Sequence, residues 1–250
     1  MNYETILTDQ TEGVGIITLN RPEVLNAMSL KLIEELDSEV SRMGSDGRVK
    51  AIIITGAGEK AFSAGADIHE MRTLTPDQLS EGHQIRYDSH WRIANCRKPI
   101  IGAINGLCYG GGTVLASSLD FLVGCEKSNF RFLAVVYGQM NATWTLPVMI
   151  GWPMAKEILY TGRIILPDEA YRIGLLNHLV PSSNLLEKAH ELASNIANNH
   201  PASVETVKRL MLTNLDKSWE EMHLREHAAR QGQNLPLEQG FKEFIDRKGR

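Results

Sequence analysis

The run Ile100-Ile101-Gly102-Ala103-Ile104-Asn105-Gly106-Leu107-Cys108-Tyr109-Gly110-Gly111-Gly112-Thr113-Val114-Leu115-Ala116 passes from a β-branched segment, through three consecutive glycines, to a small apolar one. That succession predicts strand, turn and helix. The turn is where chemistry can sit, because glycines let a ligand approach the bare amides that open the following helix. Those amides, backed by the positive end of the helix dipole, suit a developing negative oxygen. The other use of such a triplet is close packing of strand on helix, and for an isolated triplet that is the commoner one.

This triplet is not isolated. Upstream, Ala51-Ile52-Ile53-Ile54-Thr55 reads as a strand, followed by Gly56-Ala57-Gly58 and then Phe62-Ser63-Ala64-Gly65-Ala66-Asp67-Ile68. Two strand ends, each followed by a loop of small residues with free amides, can supply one N–H each to a single oxygen.

Together these segments resemble the crotonase (enoyl-CoA hydratase/isomerase) superfamily, whose members carry an FxAGADI-type loop and an NGxxxGGG-type loop. Leu19-Asn20-Arg21-Pro22-Glu23-Val24-Leu25-Asn26-Ala27-Met28 is similar to its N-terminal signature, and Gly174-Leu175-Leu176-Asn177-His178-Leu179-Val180 to its late helix-to-strand turn. The motifs span essentially the whole chain and are specific for the superfamily, which contains many reactions.

Composition sets the surrounding bounds. The chain has 250 residues, 43% hydrophobic and 22% charged, enough to bury a sizeable core and far from the make-up of a disordered chain. A net charge of -4 provides no overall positive field for nucleic acid or an anionic membrane. Cys96, Cys108 and Cys125 form no CxxC pair, which points to packing in a reducing compartment rather than to a zinc site. No signal-like start or membrane-length apolar run is present, so the expectation is a cytoplasmic protein.

Along the chain, Ile6 to Thr8 and Val14 to Leu19 read as strands joined through Gln10-Thr11-Glu12-Gly13. Ser29 is an N-cap candidate, and Leu32, Leu36, Val40 and Met43 mark an amphipathic helix from Leu30 to Met43. Ala51 to Thr55 is expected parallel to the preceding strand. A second helix opens at Pro76 and Asp77 and ends before Lys98-Pro99. Phe121 to Cys125 and Phe130 to Phe132 read as short strands, Pro153 to Tyr160 and Asp168 to Arg172 as short helices. Longer helices are predicted over Leu185 to Ala197, Val204 to Leu212, Trp219 to Gln231 and Leu237 to Lys248.

Strand and helix alternation alone suggests a doubly wound sheet. The resemblance instead implies an α/β, crotonase-like spiral of ββα units over residues 1–195, with a C-terminal helical oligomerisation or lid region over 196–250. It also implies a homotrimer or hexamer.

The resemblance implies further that the N–H groups of Ala66 and Gly111 form the oxyanion hole for the thioester carbonyl of an acyl-CoA or an acyl-carrier arm. Coenzyme A enters as part of the substrate, with no separate cofactor and no metal. Val24, Ala64, Asp67 and Ile68 sit where the family holds CoA, although an Asp after Gly-Ala is equally a helix cap. Lys242, Arg247 and Lys248 are candidates for the CoA phosphates or plain solvated faces. Further pocket candidates are Tyr109, Thr113, Arg131, Tyr137, Gln139 and Asn141, with His69, Arg86 and His90 from the segment that covers the acyl group in the family.

One departure bears on the reaction. The two glutamates with which the family's hydratases activate and deliver water align with Val114 and Ala134, neither of which can move a proton. The loop from Tyr137 to Pro147 is shorter than the hydratase pattern, and its Ala142-Thr143-Trp144 is somewhat similar to decarboxylating members that act in polyketide β-branching. The expected activity is therefore enolate stabilisation on an acyl thioester, with ordinary hydration doubtful. Decarboxylation, isomerisation, thioester hydrolysis and a non-catalytic acyl-CoA-binding subunit stand as alternatives.

Overall fold

A computed structural model describes residues 3–231 and 245–247. The chain groups into two compact units, Met1–Asn199 and His200–Arg250. In the first, β1 (Ile6–Thr11) and β2 (Val14–Leu19) form an antiparallel hairpin in which Thr11 pairs with Val14. The hairpin turn is thus only Glu12-Gly13, both at positive φ, and β1 extends into the expected four-residue turn.

After α1 (Leu30–Ser45) come β3 (Ala51–Gly56) and β4 (Ala61–Ser63), then α2 (Ile68–Met71) and α3 (Pro76–Ala94). β5 (Ile100–Ile104) and β6 (Leu107–Tyr109) lead into α4 (Gly111–Ser117), and β7 (Phe121–Gly124) and β8 (Phe130–Arg131) into a 3-10 turn over Ala134–Tyr137. α5 (Leu146–Ile150), α6 (Trp152–Thr161), β9 (Ile164–Ile165), α7 (Pro167–Arg172), β10 (His178–Leu179) and α8 (Leu185–Ala197) complete the unit.

The strands sort into two sheets, β1-β2-β3-β5-β7-β10 and β4-β6-β8-β9. Each of the pairs β3/β4, β5/β6 and β7/β8 therefore contributes one strand to each sheet, which is the ββα spiral and not a doubly wound sheet. The expected strand-turn-helix over 100–116 is corrected accordingly. The chain makes a second strand, β6, between Asn105-Gly106 and the glycine triplet.

β3 is buried along its whole length. Its Ile52 and Ile54 join the larger core with α1, β5 and the second sheet, while Ala51 and Ile53 face Leu185, Ala189 and Ala193 of α8. Ser29 caps α1 by accepting from the Leu32 N–H at 3.2 Å, and Thr75 and Gln78 close a capping box on α3.

The second unit contains α9 (Pro201–Thr213) and α10 (Trp219–Gln231). The helix expected over 237–248 lies outside the described residues except for 245–247, which are helical, and Lys242 and Lys248 lie outside them too. Among the described residues no helix is long and apolar enough to cross a membrane.

Candidate active site

The loop after β4 carries Ala64-Gly65-Ala66 to the start of α2, and the N-terminal signature holds it in place. Met28 and Ala66 form a parallel bridge in which the Met28 N–H donates to the Gly65 carbonyl at 2.7 Å and the Asp67 N–H to the Met28 carbonyl at 3.2 Å. Both bonds lie on one side of the loop, so the intervening Ala66 N–H points to the other. Gly111 packs beside Ala66: a Cβ placed on it would stand 3.3 Å from the Ala66 nitrogen and 2.8 Å from Met28 Cε.

Gly111 opens α4. The first bonds of this helix run from the Thr113 and Val114 N–H groups to the Gly110 carbonyl at 3.1 and 3.3 Å, which leaves the Gly111 N–H as an uncommitted donor of the helix start. Gly110 has φ 52 and ψ -119, which a side chain would not tolerate, and its own N–H is tied to the Arg131 carbonyl at 3.0 Å. Gly65, at φ +97, packs so tightly that a Cβ would meet the Tyr109 carbonyl oxygen at 2.7 Å and the Gly111 nitrogen at 2.8 Å. The glycines thus serve close packing, and that packing brings two backbone amides together.

Charged side chains brace this loop. Asp67 Oδ1 accepts from the Glu70 N–H at 3.1 Å, capping α2, and Asp67 Oδ2 accepts from Arg21 Nη1 at 2.8 Å. Burial opposes the charge on this carboxylate, but the Glu70 amide and Arg21 outweigh it, and its pKa is lowered from the usual value. Arg21 Nη1 also donates to the Ala27 carbonyl at 2.7 Å. Asn26, fully buried, donates to the Ala57 and Ala61 carbonyls at 3.0 and 2.9 Å, and Ser63 Oγ donates to the Asn26 carbonyl at 2.8 Å. The Asp67 side chain is therefore occupied as cap and ion-pair partner, while the apolar side chains of Val24 and Ile68 are exposed and Ala64 is half-buried.

α3 and α4 each meet the 138–145 loop. Ser117 and Thr145 hydroxyls share a hydrogen bond of 2.8 Å, and the rings of Trp91 and Trp144 meet at 5.8 Å with an interplanar angle of 54°. Val114 is buried on α4, and Ala134 is half-buried where the 3-10 turn begins. Of the remaining candidates, Tyr109 is half-buried, Gln139 and Tyr137 are exposed, and Asn141 has a buried Oδ1 without a hydrogen-bond partner. Thr113 Oγ1 donates to the Gly110 carbonyl at 2.6 Å and Arg131 Nε to the Gly162 carbonyl at 2.8 Å, and His69 is exposed.

Burial pulls the His90 pKa down to about 4, with the neighbouring Arg86 charge adding to the effect and a hydrogen bond to the Arg86 backbone opposing it. Burial likewise pushes the Cys108 thiol well up, which fits packing rather than nucleophilic work. Sequence reasoning singled out neither Arg21 nor Glu70 as side chains. The cue for Arg21 was its place in the N-terminal signature; Glu70 had none beyond its position in the first turn of a helix.

The chain matches a family model described as enoyl-CoA hydratase/isomerase over residues 9–248. It is 35% identical over 212 residues to a short-chain-enoyl-CoA hydratase of Clostridium acetobutylicum, covering 84% of this chain and 81% of the relative. A crotonyl-CoA hydratase of Syntrophomonas wolfei is 33% identical over 225 residues, 87% of this chain and 86% of the relative. Among solved structures, an enoyl-CoA hydratase from Bacillus anthracis superposes with a TM-score of 0.93 at 31% identity, covering 99% of this chain and 97% of that one.

Proposed function

The chain belongs to the enoyl-CoA hydratase/isomerase family, and from that premise we propose that it acts on an acyl-CoA or acyl-carrier thioester by holding the enolate oxygen between the Ala66 and Gly111 N–H groups. The observation that carries this reading is the approach of the two amides, each left without a backbone partner by the bonds on either side of it. In the reaction the thioester carbonyl oxygen gains negative charge, and donors already fixed by the backbone around them stabilise it without reorganising. Losing one such donor typically costs about 3 kcal/mol of transition-state stabilisation. The exposed Val24 and Ile68 side chains are apolar surface suited to the CoA arm.

The finer reading is that ordinary hydration is weak. Val114 and Ala134 stand where water activation would need carboxylates, and neither moves a proton. Decarboxylation of a β-carboxyacyl thioester is the second reading that this favours, because cleavage of the bond to CO2 leaves its electron pair in the enolate without any base. The α-carbon then takes a proton from solvent.

The test is a panel of acyl-CoA thioesters followed by mass spectrometry, with wild type beside Gly111→Pro. Proline at the first helical position keeps the helix start and removes the N–H. The expected result is conversion of at least one thioester by wild type and about 100-fold less by the variant. Binding without turnover across the panel would make the chain a non-catalytic acyl-CoA-binding subunit, and full activity in a folded variant would remove Gly111 from the oxyanion hole.

A further inference from the structure

The Arg86 guanidinium is the least satisfied charged group among the described residues. Its Nε, Nη1 and Nη2 atoms are all buried and none has a hydrogen-bond partner. Its one close counter-charge, Glu70 Oε2, is 3.6 Å from Nη2, beyond hydrogen-bonding distance. Glu70 is in any case engaged, since its two oxygens accept from the Leu30 N–H at 2.9 and 3.2 Å. A buried guanidinium with its N–H groups unspent is costly, and native proteins seldom keep one without a use.

Its location suggests the use. Glu70 lies one helical turn beyond Ala66, and Leu30 lies just after Met28, whose Cε reaches Gly111. Arg86 therefore lies beside the start of α2, the helix that opens directly after the Ala66 amide. The groups facing it are Glu70 and Asp67, which favour its charge, and His90, which burial keeps neutral. Asp67 is already bonded to Arg21, and Arg86 is the member of this cluster whose buried guanidinium nitrogens are all unspent.

Resting on the acyl-thioester reading above, we propose that Arg86 is a specificity-determining residue that receives a carboxylate carried by the acyl group, so that the substrates are thioesters of dicarboxylic acids. A carboxylate matches the planar fork of guanidinium donors and accepts two N–H bonds at once. Entry of the acid displaces the long contact to Glu70, which keeps its bond to the Leu30 amide. A neutral acyl chain leaves those donors buried and unmet, and sites of this kind reject the analogue lacking the partner group.

The experiment compares calorimetric binding of two CoA thioesters with the same five-carbon chain, pentanedioyl-CoA and pentanoyl-CoA, to wild type, Arg86→Met and Arg86→Lys. Wild type is expected to bind the diacid thioester at least tenfold more tightly. Arg86→Met abolishes that preference while holding pentanoyl-CoA within about twofold, and Arg86→Lys keeps part of it. Equal affinities in wild type overturn the proposal without needing any variant to fold, and equal weakening of both ligands by Arg86→Met makes Arg86 a structural clamp. If pentanoyl-CoA binds and no preference exists, only the Arg86 assignment fails; if neither thioester binds, the acyl-thioester reading fails with it.

Discussion

Arg21 Nη1 lies 2.8 Å from Asp67 Oδ2, joining two residues 46 positions apart and fastening the N-terminal signature to the residue that follows the Ala66 amide. The same guanidinium nitrogen holds the Ala27 carbonyl, and Met28 bridges Ala66, so the pair fixes the direction in which that amide points.

Arg21→Met is therefore expected to lower kcat on the true substrate about tenfold or more with a smaller change in KM, because a misdirected donor is felt chiefly in the transition state. It leaves a largely buried Asp67 carboxylate unpaired, a loss of about 2–3 kcal/mol in urea unfolding. The double variant Arg21→Met/Asp67→Asn is expected to recover part of the stability. A single variant with wild-type kcat would detach the pair from the Ala66 geometry. The pH dependence has a fixed sign. The folded pKa of Asp67 lies below its ordinary value, so its contribution is fully present above that value and is lost as pH falls through the folded pKa.

His90 gives the same sign at a higher pH. Its pKa is lowered from 6.5 to about 4, so between those values the unfolded chain binds a proton that the folded chain does not, and stability falls as pH drops from 6.5 towards 4. Replacing it with Gln is expected to flatten that part of the stability curve. An NMR titration in which the ring protonates near 6.5 would contradict the burial argument.

How much of this was legible in the sequence depends on run length. β3 and β5 are continuous apolar runs, and α1 carries its stripe at helical spacing, so each was readable by period. β4 and β6 are three residues long, too short to carry a period, and each lies in a stretch dominated by glycine and small residues. Sorting alternate strands into a second sheet is a tertiary result, and it came into view through motif resemblance alone. The proposal of Ala66 and Gly111 as oxyanion donors rests on the same resemblance. Arg86 was singled out with His69 and His90 by resemblance alone; that its guanidinium nitrogens are buried without hydrogen-bond partners is a tertiary fact that no spacing along the chain reveals.

Assembly is the next expectation. Val136, Tyr137, Trp152, Tyr160 and Leu166, from the 3-10 turn to the start of α7, leave large apolar surface exposed, as does Trp219 of the second unit at 90%. Monomeric proteins seldom expose so much apolar area. Light scattering is expected to give a trimer or a dimer of trimers, and a monomer at micromolar concentration would refute it. Trp152→Glu is expected to shift the population towards smaller species.

The last expectation is that the protein hydrates crotonyl-CoA poorly and that Val114→Glu alone does not cure this. Hydration needs a base on water and an acid for the α-carbon, each contributing roughly 10²–10⁴-fold. Val114 is 9% exposed on a helix whose next turn bonds back to it, with Ser118 Oγ donating to its carbonyl at 2.7 Å. A carboxylate introduced there is desolvated, which raises its pKa and keeps it protonated near neutral pH. Its would-be partner position, Ala134, is a methyl group at the head of a 3-10 turn whose carbonyl accepts from the Gln139 N–H at 2.8 Å, and one acid without a base cannot complete the addition. The measurement is the loss of enone absorbance with crotonyl-CoA for wild type, Val114→Glu and Val114→Glu/Ala134→Glu, beside an established hydratase. Wild-type turnover matching that control would mean that another side chain moves the protons, and a gain of more than about 100-fold from the single Val114→Glu change would mean that its partner is already present in the pocket.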